Sequence, residues 1–216
     1  MDIETAAVDD GRAVYVVDDE DAVRAGMAKL LLAEGYDVRT FDSAESFLER
    51  SMDGQIACIV LDLQMPGLSG LELQEHLLNA GQELPIVFVT AHGDIPDSVR
   101  AMKQGAVDFL PKPFDPDQFL DAVDQAIAKG KVLQEQRHAV DSVQVRVDAL
   151  TPREFEVMRH VIAGLLNKQI AYALGISEKT IKIHRARVMA KMQVQSVADL
   201  VRQTARAGIT PAEPEL

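Results

Sequence analysis

Residues 58–67 read CIVLDLQMPG, a short apolar run that ends at Asp62 and is followed by a Pro-Gly turn. Three more apolar runs end in polar side chains, before Asp18-Asp19, before Thr90 and before Lys112. Helical patterns separate the runs, and alternating strands and helices are typical of a parallel sheet covered on both faces. In such open sheets, ligands bind outside the carboxyl ends of the strands. The spacing therefore predicts that these five polar residues share one crevice.

Composition narrows the class of protein. The chain has 216 residues with 47% hydrophobic content, which suits one large or two small domains with a buried core. No segment approaches the roughly 18 apolar residues of a membrane span, and the acidic N-terminus does not resemble a secretory signal. Cys58 is the single cysteine of the chain, which excludes an internal disulfide. It lies inside an apolar run. We expect a cytoplasmic protein rather than a membrane or secreted one.

Charge is distributed unevenly along the chain. Residues 1–130 carry 9 Lys+Arg against 25 Asp+Glu, a net charge of -16. Residues 131–216 carry 13 against 9, a net charge of +4. Residues 167–191 alone hold six basic side chains and one acidic side chain. An acidic half joined to a basic half predicts two domains with different partners.

The first half reads as five strand–helix units. Strands are predicted near residues 13–17, 38–41, 57–61, 86–90 and 108–110, and helices near 22–34, 44–49, 71–79, 98–104 and 118–128. The second strand alternates polar and apolar residues, which indicates an edge, whereas the central runs are continuously apolar. The pattern predicts a five-stranded parallel sheet, doubly wound and flavodoxin-like, in an α/β domain.

The second half reads as helical. Apolar residues continue at helical spacing over 131–149, which indicates a helical linker that extends the fifth helix, with a partly disordered connector as the alternative. Thr151-Pro152-Arg153-Glu154 forms a capping box at the start of a helix that runs to about Ala163. Helices over 167–174, 178–192 and 197–207 follow. A short helix, a glycine turn and a basic helix resemble a helix-turn-helix.

The acidic crevice has the groups needed to accept a phosphoryl group. A carboxylate such as Asp62 can form a mixed anhydride, and the transferring group needs a metal ion and fixed cations. Asp19 and Asp62 are predicted to ligate Mg²⁺ directly, and Asp18 directly or through water. Lys112 would pair with the phosphoryl group, and the Thr90 hydroxyl would donate to it. Each residue alone is better explained as a turn or cap residue, but all five together at strand ends favour a site.

These motifs resemble the receiver domains of two-component response regulators. The resemblance rests on residues 16–20 (VVDDE), 61–67 (LDLQMPG), 90–93 (TAHG) and 105–114 (GAVDFLPKPF). It implies phosphorylation of Asp62 by a sensor histidine kinase, and an aromatic switch in which Phe109 turns inward as Thr90 moves. It also implies a cis Lys112–Pro113 bond and a metal ligand from the Gln64 backbone carbonyl. Gln64 and His92 occupy positions that tune hydrolysis in the family.

Residues 167–185 resemble the LuxR-type helix-turn-helix. Together with the receiver motifs, they make nearly the whole chain resemble the FixJ/NarL type of response regulator. Leu166 departs from the small hydroxyl residue that many relatives carry. Residues 12–130 are then predicted to be a receiver domain, 131–149 a helical linker and 150–210 the DNA-binding domain. The expected partners are double-stranded DNA, a second copy on phosphorylation, and RNA polymerase as a candidate. The predicted DNA contacts are Lys168, Lys179, Thr180, Lys182, His184, Arg185 and Arg187. A solvated basic surface is the alternative.

Two other functions fit parts of the sequence. A phosphatase of the haloacid-dehalogenase type also uses an Asp nucleophile with Mg²⁺, but it needs a second acid two residues later, where this chain has Gln64. A regulator controlled only by partner binding would have a degraded acidic cluster, and this cluster is intact. The sequence favours a transcription factor switched by phosphorylation, with no enzymatic activity beyond its own phosphoryl transfer.

Overall fold

The computed structural model describes residues 13–49, 58–91 and 95–213. His92 and the acidic N-terminus lie outside these residues. The chain divides into two compact units, residues 1–134 and 135–216. No helix among the described residues is long and apolar enough to cross a membrane.

The first unit contains one sheet with helices between its strands. The strands are β1 (Ala13–Val17), β2 (Asp37–Phe41), β3 (Cys58–Asp62), β4 (Ile86–Thr90) and β5 (Asp108–Pro111). The intervening helices are α1 (Asp21–Ala33), α2 (Ala44–Leu48), α3 (Gly70–Asn79) and α4 (Ile95–Lys103). After β5, helix α5 runs from Pro116 to Asp148 and therefore includes all but the last residue of the predicted helical linker, 131–149.

All neighbouring strands are parallel, in the order β2-β1-β3-β4-β5. β2 lies at an edge and is only partly buried, as its alternating pattern predicts. β1, β3 and β4 are buried at every position, because hydrophobic clusters cover both faces of the sheet. Alternate strand residues enter opposite clusters, with Tyr15 on one face and Val16 on the other. The predicted fold class of this unit is confirmed.

Strand register brings the polar ends together. Val17 at the end of β1 pairs with Leu61, next to Asp62, and Asp62 pairs with Val89, next to Thr90. Thr90 in turn pairs with Pro111, the residue before Lys112. Each strand thus stops at nearly the same level, so the residues that follow it meet at one edge of the sheet.

The second unit is helical. Its helices after α5 are α6 (Pro152–Ile162), α7 (Asn167–Leu174), α8 (Glu178–Lys191) and α9 (Val197–Arg206). The predicted capping box is present, with Thr151 and Glu154 each accepting from the other's backbone N–H. Gly175 ends α7 with a φ of 65°, a left-handed conformation that favours glycine. Fully buried side chains of α6, α7, α8 and α9 form one core.

Candidate functional site

Four of the five residues predicted to share a crevice contribute to a compact polar site at the sheet edge. Asp18, Asp62 and Thr90 are buried there. The Lys112 Nζ donates to Asp18 Oδ2 at 2.8 Å and to Asp62 Oδ2 at 2.9 Å. Lys112 is itself positioned by its backbone N–H, which donates to the Thr90 carbonyl at 2.7 Å. One amine thus bridges two buried carboxylates, one directly after β1 and one at the end of β3.

Local turns hold the two aspartates in place. Asp18 Oδ1 accepts the backbone N–H of Glu20 at 2.9 Å, and Asp62 Oδ1 accepts that of Gln64 at 3.3 Å. The Lys112–Pro113 peptide bond is cis, as the resemblance implied. Gly70, at the start of α3, packs so closely that a Cβ there would lie 2.2 Å from the Asp62 carbonyl oxygen. The close approach of α3 explains why this position has no side chain.

Glu20 belongs to this site and was missed from the sequence. Its Oε1 lies 3.3 Å from Lys112 Nζ, and one carboxylate oxygen from each of Asp18, Glu20 and Asp62 lies within 4.8 Å of the others. Asp19, predicted as a metal ligand, is exposed beside the site and is not one of these three carboxylates. Glu20 sits immediately before α1, where the turn around Asp18 directs it back toward Lys112. Sequence adjacency to the aspartate pair was the only available signal.

Burial and charge oppose each other in this crevice. Burial raises the pKa of Asp18 above its usual range, and the hydrogen bond from Lys112 only partly offsets that rise. Burial also acts to lower the pKa of Lys112, but the hydrogen bonds to Asp18 and Asp62 outweigh it. The pKa of Lys112 is therefore raised above its usual range. The site therefore holds a protonated amine among an excess of carboxylates. Such a site favours an added cation.

The donor set fits a hard divalent cation. Mg²⁺ prefers carboxylate and carbonyl oxygens and keeps several waters. Asp18, Glu20 and Asp62 offer three carboxylate oxygens within reach of one centre. Gln64 lies exposed in the loop directly after β3, two residues from Asp62. The residues present fit Mg²⁺, and Asp62 keeps its position next to a cation, Lys112, that can pair with a phosphoryl group.

The two residues predicted to form a switch lie on adjacent strands. Thr90 ends β4 and is buried, while Phe109 in β5 is half-buried. The Phe109 ring centroid lies 6.1 Å from that of Phe88. Phe109 packs against the hydrophobic cluster on one face of the sheet and remains partly exposed.

In the second unit, the predicted DNA contacts differ in how far they project. Four of the predicted contacts have exposed side chains, namely Lys168, Lys179, Lys182 and Arg187. Lys182 is paired with Glu178 at 3.7 Å on the same helix. These four cations lie on α7 and α8, which pack together as a helix-turn-helix requires. Their exposure leaves these four cations accessible to a ligand.

The other three predicted contacts, Thr180, His184 and Arg185, are only half-exposed. Arg185 is half-buried, and its Nη1 donates to Asn167 Oδ1 at 2.8 Å, across to α7. The Thr180 hydroxyl is 2.8 Å from Ser177 Oγ at the cap of α8. His184 is half-buried, and its Nδ1 has no hydrogen-bond partner among the described residues. Side-chain burial on a short helix depends on the neighbouring helix, so these differences were not visible in the sequence.

Comparison with protein families divides the chain in the same way as its geometry. Residues 14–124 match the family described as response regulator receiver domain. Residues 148–204 match the family described as bacterial regulatory proteins, luxR family. The acidic crevice lies within the first match, and α6, α7 and α8 lie within the second.

Similar proteins match over almost the whole chain. Nodulation protein W of Bradyrhizobium diazoefficiens is 43% identical over 202 residues, covering 94% of this chain and 89% of that protein. The transcriptional regulatory protein FixJ of Azorhizobium caulinodans is 42% identical over 200 residues, covering 93% and 95%. Among solved structures, the response regulator StyR has a TM-score of 0.76 and 47% identity, covering 90% of this chain and 98% of that one. Full-length FixJ from B. japonicum has a TM-score of 0.52 and 42% identity, covering 91% and 97%.

Proposed function

The chain belongs to the FixJ/NarL type of two-component response regulators, and we propose that phosphorylation of Asp62 by a histidine kinase switches its binding to DNA. The observation that carries the proposal is the buried Asp62 carboxylate, 2.9 Å from the Lys112 amine at the edge of the sheet. The proposed boundaries are a receiver domain over 12–130, a helical linker over 131–149 and a DNA-binding domain over 150–210.

The crevice provides the groups for phosphoryl acceptance. An oxygen of Asp62 attacks the phosphorus of the donor, and the bond from phosphorus to the donor atom breaks. Lys112, already 2.9 Å from this carboxylate, pairs with the negative phosphoryl oxygens, and the Thr90 hydroxyl donates to one of them. Mg²⁺ would be held by Asp18, Asp19, Asp62 and the Gln64 carbonyl, with Glu20 as a further oxygen donor, and would neutralise charge on the transferring group.

The phosphoryl group acts as a ligand that prefers one of two arrangements. In this proposal Thr90 moves to contact the phosphoryl group, and the half-buried Phe109, whose ring centroid lies 6.1 Å from that of Phe88, turns inward. Only such a difference in binding can shift a population of conformations. We propose that the favoured arrangement forms a homodimer. The only reactions proposed for this chain are its own phosphoryl transfer and dephosphorylation, within a family of transcription regulators that are not enzymes.

In this proposal the helical unit binds DNA and recognises its sequence. Recognition helix α8 enters the major groove, where Lys179 and Lys182 reach base edges. Lys168 and Arg187 contact phosphates, and Arg185, Thr180 and His184 contact DNA from the sides of the helix. A dimer reads two half-sites. RNA polymerase is a further proposed partner, and binding to chromosomal DNA implies a location in the cytoplasm.

The phosphorylation proposal is tested with a small-molecule phosphodonor and Mg²⁺. Mass spectrometry of the full chain should show one added phosphate, and none for Asp62→Asn. Asp121→Asn, an exposed aspartate on α5, is the control and should be labelled like the wild type. Full labelling of Asp62→Asn would overturn the assignment of the phosphoacceptor.

The DNA proposal is tested by salt-titrated binding of the phosphorylated chain to selected and random duplexes. Lys182→Ala should weaken binding by about 1 to 3 kcal/mol and relax sequence preference. Lys168→Ala should weaken all sequences alike and reduce the salt slope by about one. If Lys182→Ala changes the salt slope alone, Lys182 contacts phosphates and does not read bases.

A further inference from the structure

The face of α8 that points away from the core has an apolar side chain at its centre. Ile183 is 47% exposed, whereas Ile181 and Val188 on the opposite side of the helix are completely buried. At about 100° per residue, Lys179 and Arg187 lie roughly 40° to either side of Ile183. Both cations are exposed. Two positive charges thus flank a half-exposed, β-branched side chain.

The neighbours of Ile183 leave it accessible. Ala186 and Ala190 lie on the same face, within about 60° of Ile183, and both are exposed. Their side chains end at Cβ, so a flat surface can approach this part of the helix closely. Lys182 lies roughly 100° away from Ile183 and pairs with Glu178 at the border of the face. Single exposed apolar residues are common on proteins, so the argument rests on the central position of Ile183 and not on its exposure.

We propose that Ile183 is a specificity-determining residue that contacts the 5-methyl group of thymine in the major groove. The proposal rests on the proposed function, in which α8 binds DNA. Phosphates and base acceptors suit the flanking Lys179 and Arg187, but neither attracts an aliphatic side chain. Among the groups on base edges in the major groove, the thymine methyl is the apolar one. The chemistry of this face therefore selects operators with a thymine opposite the centre of α8.

The test removes one methyl group from DNA at a time. Duplexes bound by the full-length chain in the presence of phosphodonor and Mg²⁺ are first selected from a random library. Each thymine of the selected sequence is then replaced by deoxyuridine, which deletes the methyl and keeps the base pair. We expect about fourfold weaker binding at one position or more in each half-site, from loss of one buried methyl-sized group.

Variants of the protein then test whether Ile183 is the residue that contacts the methyl group. Ile183→Ala should weaken binding to the thymine duplex by a similar factor and should no longer respond to the methyl deletion. Ile183→Val, which keeps the branched carbon, should respond partly. Val201→Ala is the matched control, because Val201 is a β-branched residue on α9 that is 39% exposed. It should keep the full response.

The outcomes separate this inference from the proposed function. If deoxyuridine weakens wild type and Ile183→Ala by the same factor, another residue contacts the methyl and the inference fails, while sequence-specific binding stands. If no thymine responds to methyl deletion, the inference fails in the same way. If selection returns no preferred sequence, the DNA-reading role of α8 fails together with the inference.

Discussion

Replacing Lys191 with Met should destabilise the helical unit through its effect on Glu154. The Lys191 Nζ donates to Glu154 Oε2 at 2.6 Å and to the Ala149 carbonyl at 3.0 Å. The Glu154 side chain is 3% exposed and also accepts the Thr151 backbone N–H. Lys191 thus joins the end of α8 to the start of α6. Its loss leaves a buried carboxylate without its cation.

The magnitude follows from the pKa of Glu154, which hydrogen bonds from Lys191 and from the Thr151 backbone lower from 4.5 to about 2. Because the pKa is lower in the folded state, the stabilisation is complete above about pH 4.5 and is lost as the pH falls toward 2. At about 1.36 kcal/mol per unit, the whole interaction contributes about 3 kcal/mol at most. The Lys191 side chain is 36% exposed, so water screens the ion pair. We expect Lys191 to account for about 1 to 2 kcal/mol at pH 7.

Hydrogen exchange of the full chain at pH 7, followed by mass spectrometry of α6 and α8 peptides, measures this free energy. Lys191→Met, Glu154→Gln and the double variant form a cycle that separates the ion pair from the bond to the Ala149 carbonyl. Lys182→Met is the control on the same helix, because its partner Glu178 lies 3.7 Å away and both side chains are exposed. The control should change stability by less than about 0.5 kcal/mol.

Two results would refute this reasoning. The first is a coupling energy below about 0.3 kcal/mol, since independent sites are additive to that level. The second is an NMR titration in which the pKa of Glu154 stays near 2 after Lys191→Met. In that case the Thr151 backbone, and not the lysine, would be the source of the low pKa.

Three further predictions concern close backbone packing, a side-chain contact between helices and the charge of the first unit. Gly70→Ala should destabilise the first unit by about 3 kcal/mol in urea unfolding, because its Cβ would meet the Asp62 carbonyl. Gly175→Ala should destabilise the second unit by only about 1 kcal/mol, because no atom lies within 4 Å of its Cβ and only its φ of 65° is unfavourable for alanine. Asn167→Ala releases Arg185 and should weaken binding to selected and random duplexes alike, so a loss confined to selected sequences would contradict it. A fragment from residue 149 onward, without the acidic unit, should bind DNA at least as tightly as the unphosphorylated full chain in salt-titrated assays, and weaker binding would contradict the charge argument.

The residues of the polar crevice differ in whether the sequence pattern could identify them. Strand ends lie at one edge of any parallel sheet, so Asp18, Asp62, Thr90 and Lys112 could be grouped from apolar runs and the polar residues after them. Glu20 could not, because its approach to Lys112 depends on the turn formed when its N–H binds the Asp18 carboxylate. A strand position follows from a period of two residues, but a side-chain direction in a loop follows from hydrogen bonds that no period encodes.

Helix α8 shows the same limit. Its charge, its Ser177 cap and the glycine before it could be read directly from the residues, because capping and turn formation depend on near neighbours. The tertiary structure alone decided that Arg185 is held by Asn167 while Ile183 faces outward between cations. Local chemistry and periodicity therefore determined the elements, their order and the sheet edge that carries the site. Which side chains remain accessible depended on packing between elements distant in the chain, since burial is a property of the assembled fold and not of any single segment.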